Sequence, residues 1–106
     1  MRKIQVTKWD ASDGNGHMIK EDSLSVLKIL LSNKKPGEMP TGLDNFRLFS
    51  RLSNAFDNAE KSGILNLEEA EYSFLKKTIE KDVPSVWAMN KNINEAVEGF
   101  INAKEE

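Results

Sequence analysis

The stretch LDNFRLFSRLSNAFDNAEKSGILNLEE, residues 43–69, runs from Leu43 to Ser62 without a proline or glycine and then meets Gly63. Leu43, Phe46, Phe49, Leu52 and Phe56 recur in it at helical spacing, which predicts a helix over 43–62 with that stripe turned to a core. Thr41 followed by Asp44 reads as a capping pair at its start. Gly63 reads as its stop, because glycine takes at little cost the left-handed conformation that ends many helices. Arg47, Arg51 and Asn54 fall away from the stripe. Past the glycine, Ile64-Leu65 reads as extended, and Asn66 with Glu69 opens a third helix over 66–82 carrying Leu67, Ala70, Phe74, Leu75 and Ile79.

Working outward, Asp22 or Ser23 caps a first helix over 22–33, with Leu24, Leu27, Leu30 and Leu31 on one face. The run Lys34-Lys35-Pro36-Gly37-Glu38-Met39-Pro40 ends it, and residues 34–42 form a loop that is long for a connection inside a domain. On the other side, Pro84 suits the first turn of a last helix over 84–103 and pushes Val83 out of helical geometry. That helix would turn Val86, Met89, Ile93, Val97, Phe100 and Ile101 inward, with Trp87 as a core anchor. At the start of the chain, Ile4 and Val6 alternate with Gln5 and Thr7 as in a strand. Asp13-Gly14-Asn15-Gly16 is a turn, and His17 to Lys20 return as a second strand. The expected fold is a single domain over 1–106 of mainly α (α+β) class: a β-hairpin over 1–20 and four helices.

Composition narrows the function classes. The 106 residues carry 17 acidic and 15 basic side chains, a net charge of -2, which supplies none of the positive field that drives general nucleic-acid coating. No cysteine is present, so disulfides, thiolate zinc sites and a cysteine nucleophile are excluded. The longest apolar run, Val26 to Leu31, is broken by Lys28 and falls far short of a membrane span, and the N-terminus lacks a secretory pattern. A cytoplasmic protein without a membrane role is the expectation.

Residues 58–69 match the length of an EF-hand calcium loop and resemble a degenerate one: Gly63 falls at the sharp-turn position and Glu69 at the final acidic position. Asn58, Glu60 and Ser62 would supply the first three ligands, a set with too little negative charge for tight binding. Gly63 as a helix stop and Glu69 as a cap explain the same residues without a metal. The Asp10, Asp13, Asn15, His17, Glu21 and Asp22 group reads as a solvated hairpin tip. With one histidine in a turn and no nucleophile-elbow, Walker or dinucleotide motif, no catalytic residue and no cofactor is expected. Glu68, Glu69 and Glu71 answer the dipole of a first helical turn. Arg2, Lys3, Lys8 and Trp9 offer only weak grounds for nucleic-acid binding.

The run Gly63 to Lys77, a tryptophan-bearing turn and an apolar last helix, preceded by Phe46-Arg47-Leu48-Phe49-Ser50-Arg51-Leu52, resembles small proteins of tailed bacteriophages. The resemblance spans about residues 43–101. It implies a role in virion assembly or in binding a host protein, within the host cytoplasm, and transfers no catalytic residue. The expected activity is therefore non-enzymatic protein–protein interaction through Lys34, Lys35 and Met39 of the loop and the Arg47 and Arg51 face. The apolar helix faces also admit a homo-oligomer.

Overall fold

The structure is a computed structural model that describes residues 1–12, 14–34, 37 and 39–104, with Ser12 described for its backbone alone. Lys35 and Asp13, both singled out above, lie outside the described residues. The elements run β1 (Arg2–Gln5), β2 (Lys8–Ser12), β3 (Met18–Asp22), α1 (Ser23–Ser32), α2 (Leu43–Ser62), β4 (Ile64–Leu67), α3 (Glu69–Asp82), a 3-10 turn (Ser85–Met89) and α4 (Lys91–Ile101). Four helices and short antiparallel strands give the mainly helical α+β fold that the periodicity implies. No helix among the described residues is long and apolar enough to cross a membrane.

The strands pair differently from the expected hairpin. β1, which contains Ile4, joins β4, with Arg2 opposite Leu67 and Ile4 opposite Leu65. The hairpin lies one segment later, between β2 and β3, with Lys8 opposite Asp22 and Ala11 opposite Ile19. Burial explains the exchange. Leu65 and Leu67 are each 1% exposed on the inner face of β4, and β1 completes that inner layer with Ile4, so its pairing is set by the core rather than by the nearest turn. A hydrogen bond from Val6 N to the Gly63 carbonyl, 2.9 Å, extends the junction.

The same ladder moves the start of the third helix. Asn66 and Leu67 are strand residues, so α3 begins at Glu69 with Glu68 as its N-cap and no side-chain capping bond. The last helix is also shorter than the 84–103 reading. Pro84 leads into the 3-10 turn, and α4 starts only after Asn90, whose side chain accepts from the amides of Asn92 (3.0 Å) and Ile93 (3.3 Å). Val86 and Met89 consequently face outward, while Ile93, Val97 and Ile101 are half-buried and Phe100 is buried. Trp87 is half-buried against the core.

α1 and α2 keep their expected spans within a residue. Asp22 caps α1 by accepting from Ser25 N at 2.8 Å. Gly63 ends α2 at φ 79°, in the left-handed region. The Thr41–Asp44 cap is absent: Gly42 is the N-cap with no side-chain bond, and Asn45 Nδ2 instead donates to the Thr41 carbonyl at 2.8 Å.

The stripe of α2 needs the largest correction. Each residue advances a helix by about 100°, so a step of three falls short of a full turn by about 60°. The path Leu43, Phe46, Phe49, Leu52 therefore winds halfway round the helix. Leu52 and Phe56 are buried, Phe49 is half-buried, and Phe46 and Leu43 are 71% and 60% exposed. The inner face is completed by Leu48 and Ala59, which the stripe omits. Tyr72 and Leu75 of α3 and Leu24, Leu27 and Leu30 of α1 close the core around it.

Candidate protein-binding groove

α3 holds the helical body together and the other helices lean on it unequally. α1 packs on α3 and α4, whereas α2 packs on β4 and α3. Phe49 meets Phe74 edge-on, with ring centroids 5.3 Å apart. At the end of α1, Lys34 reaches across to Asp82 Oδ2 at 3.0 Å, its side chain only 9% exposed. These attachments leave α1 and α2 apart, with an open groove of about 440 Å³ between them. Leu31 comes from α1, Phe49, Leu52 and Phe56 from α2, and Met39 from the connection between them.

Met39 and Phe49 also border a second open depression of about 580 Å³ that includes Pro40, Gly42, Leu43 and Phe46. The two form one continuous apolar strip along α2. Its rim is polar: Lys28 pairs with Glu60 at one end, while Asp57 borders the groove with no ion-pair partner among the described residues. Two other spaces among the described residues are smaller. A gap among Ile4, Leu24, Leu65 and Phe100 amounts to about 10 Å³, and a recess of about 170 Å³ lies between Trp87 and Val97.

The expected interaction residues separate into different roles. Met39 lines the groove, and Arg47 is exposed on α2 with no ion-pair partner among the described residues. Lys34 is consumed by Asp82 and lies 5.9 Å from the centroid of the Phe74 ring. Arg51 Nε donates to Oε1 of Glu71, whose side chain is 4% exposed. The other oxygen of Glu71, Oε2, is buried without a hydrogen-bond partner among the described residues. Arg51 thus holds a carboxylate between α2 and α3, a task that sequence periodicity gives no sign of.

The remaining candidates are dispersed. Asn58, Glu60 and Ser62 lie on the last turns of α2, where steps of two residues turn successive side chains by about 200°. Glu60 pairs with Lys28, and the Ser62 hydroxyl exchanges hydrogen bonds with Ile64 at 3.2 Å. Glu69 accepts from Arg2 Nε at 2.8 Å, and that bond holds its carboxyl below the usual glutamate range. Glu69 and Glu71 therefore have separate basic partners. In the hairpin, Asp22 caps α1, Glu21 accepts from Trp9 Nε1 at 3.2 Å, and Asp10 lies 3.4 Å from Lys20.

Arg2 does more than its position near the chain start suggests. Its guanidinium lies 4.3 Å from the centroid of the Tyr72 ring and donates through Nη1 to the Ala103 carbonyl. The Tyr72 hydroxyl donates to the carbonyls of Phe100 (2.8 Å) and Ile101 (3.0 Å). Carbonyls at a helix end lack partners within the helix, so these two side chains close the end of α4 over α3. Burial pushes the Tyr72 phenol up. Arg2 and Lys3 alternate across β1, and Lys8 belongs to the separate hairpin, so the basic N-terminal residues do not share one face. Comparison of the chain with protein families, curated proteins and solved structures gives no match.

Proposed function

We propose that this chain is a non-enzymatic binding module that takes an apolar helical segment of another protein into the α1–α2 groove. The observation that carries the reading is the continuity of the groove with the outward-facing Phe46 and Leu43, an apolar strip that the chain's own core does not cover. Large aromatic side chains in a depression with a polar rim are the usual anchors of protein interfaces. The strip from Phe46 to Asp57 extends about 16 Å along α2, at about 1.5 Å per residue, enough for three turns of a partner helix. Asp57 at one end favours a partner with a basic residue beyond its apolar stripe. The resemblance to tailed-phage proteins makes a virion or host protein the natural source of that helix.

A photo-crosslinking side chain at Ser53, inside the groove, tests the reading against the same probe at Val86, an exposed apolar position elsewhere. In host or infected-cell lysate the Ser53 probe should give a discrete adduct that Phe46→Glu abolishes. Phe46→Glu should leave the melting temperature unchanged, since that ring is already in water. Equal adducts from both positions, or none from Ser53, would remove the proposal.

A further inference from the structure

The glycine turn of the hairpin has no part in the groove, and its chemistry is unlike that of any other segment. Gly14, Asn15 and Gly16 lie outside the β2–β3 ladder, whose last rung sets Ser12 opposite Met18. All three are exposed. Gly16 has φ 85°, and no atom beyond its chain neighbours lies within 4 Å of where a Cβ would stand. Its amide has no hydrogen-bond partner among the described residues. Asn15 is also the asparagine that a glycine follows. Every other asparagine lies in a helix, in β4 or at a helix cap, and is followed by a residue that carries a side chain.

We propose that Asn15–Gly16 is a modification site, at which the chain's own backbone and water convert Asn15 into aspartate and isoaspartate. The Gly16 nitrogen gives up its proton and bonds to Cγ of Asn15. The side-chain nitrogen leaves as ammonia, taking up a proton, and a five-membered succinimide remains. Water then opens the ring. Breaking the bond from the Gly16 nitrogen to Cγ leaves aspartate; breaking the original peptide bond leaves isoaspartate, with the chain now running through Cβ and Cγ. The sum is one water consumed and one ammonia released, with no oxidation or reduction. The attack needs a following nitrogen that is free and unshielded and a backbone able to bring it to Cγ. Glycine supplies the lack of shielding and the conformational freedom. Inside a helix or ladder the backbone is instead held by its hydrogen bonds. Asn58, for example, lies within α2, and Asn66 lies within β4.

The consequence is confined to the hairpin. Either product adds a carboxylate to a chain whose net charge is already -2. Isoaspartate also lengthens the backbone of the turn by one atom, and that turn joins the two strands of the β2–β3 ladder. β1 and β4 pair elsewhere and the helices are joined by other segments, so the groove and the core keep their geometry.

The test is peptide mapping of the purified full chain after incubation in warm, mildly alkaline buffer. Trypsin releases Trp9 to Lys20 as one peptide, in which Asn15 is the sole asparagine. That peptide should gain one mass unit, the difference between the water taken up and the ammonia lost, before any other asparagine-bearing peptide does. It should split into separately eluting aspartate and isoaspartate forms. The folded chain should modify Asn15 at nearly the rate of the urea-unfolded chain, while Asn58 is slowed by folding. Asn15→Gln should abolish the early shift, because the longer side chain cannot close the five-membered ring; Asn15 has no positive φ, so the turn accepts the change. The helical circular dichroism should be the same before and after modification. A Trp9 to Lys20 peptide that keeps its mass while others shift overturns the proposal. So does a folded chain that protects Asn15 as strongly as Asn58, or an early shift that persists in Asn15→Gln. Loss of helical signal in step with the modification overturns its confinement to the hairpin.

Discussion

β1–β4 joins the start of the chain to the segment between α2 and α3, whereas β2–β3 joins neighbours across a glycine turn. The first pair is far apart in sequence and lies over the core, with Leu65 and Leu67 1% exposed. The second is local and touches the core through Trp9, with Met18 67% and Ile19 43% exposed. Closing the long loop costs entropy that only burial can offset, while a short hairpin forms with little closure cost and little burial. The distant pair is accordingly the one that organises the fold, and the local pair contributes less to it.

The sharpest break of this contrast is Leu65→Ala beside Ile19→Ala. The first should cost about 3 kcal/mol by the usual loss of a buried leucine. The second should cost under ~1 kcal/mol, because much of that side chain is in water already. Urea unfolding measures both, and equal losses would undo the distinction between the two pairs.

Ion pairs should divide the same way. Arg51→Ala leaves the buried Glu71 carboxylate without its donor and should cost about 2 kcal/mol, in the range for an orphaned buried polar group. Glu71→Gln should cost less, since Arg51 is half exposed and can turn to water. Asp10→Ala in the hairpin should change stability by under ~0.5 kcal/mol, as expected of an exposed pair. At the junction between hairpin and body, Asp22→Ala removes the cap of α1 and should cost about 1 kcal/mol. Hydrogen exchange should then show faster exchange at Ser25, whose amide the Asp22 side chain accepts, while the β1–β4 amides stay protected.

The smallest effect is the tie between β1 and α3. Arg2 lowers the folded-state pKa of Glu69, so the unfolded chain holds more protons on that group. The stabilisation is present above the unfolded glutamate pKa and is lost as pH falls through the depressed folded value. The melting-temperature gap between the native protein and Glu69→Gln should therefore be visible at neutral pH and close in acid. A gap that widens on acidification would show that the pair acts by some other means.

Much of the helical scaffold was legible in residues alone. Asp22 as a cap, Gly63 as a stop and Pro84 as a break act through their own backbone or nearest neighbours, and each does so in the structure. Structure departs from the local signals where another segment or turn intervenes. Asn66 has the chemistry of a cap, yet β1 claims its backbone; Ile4 has the pattern of a hairpin strand, yet it is paired across to Leu65. Val86 and Met89 keep helical spacing, but the 3-10 turn rotates them outward.

The groove itself was not legible in the sequence. The 34–42 connection that carries Met39 stands out by its length, and Arg47 by its distance from the apolar stripe. Lys34 and Arg51 looked like surface cations because spacing does not show what lies opposite a side chain; Asp82 and Glu71 absorb them. Leu43 and Phe46 share the apolar spacing of core residues, but steps of three wind about 60° each time and carry them off the inner face.

By itself the sequence determined that four stretches are helical, where two of the helices begin or end, and that the fold is mainly helical with short strands. These are local properties, set by backbone freedom, capping and the period of apolar residues. Only the tertiary structure decided which strands pair, which cations are already neutralised, and that α1 and α2 stand apart with a groove between them. Those outcomes depend on how α3 and β4 are shared among competing neighbours, and that competition is settled by the burial of surfaces that no single segment contains.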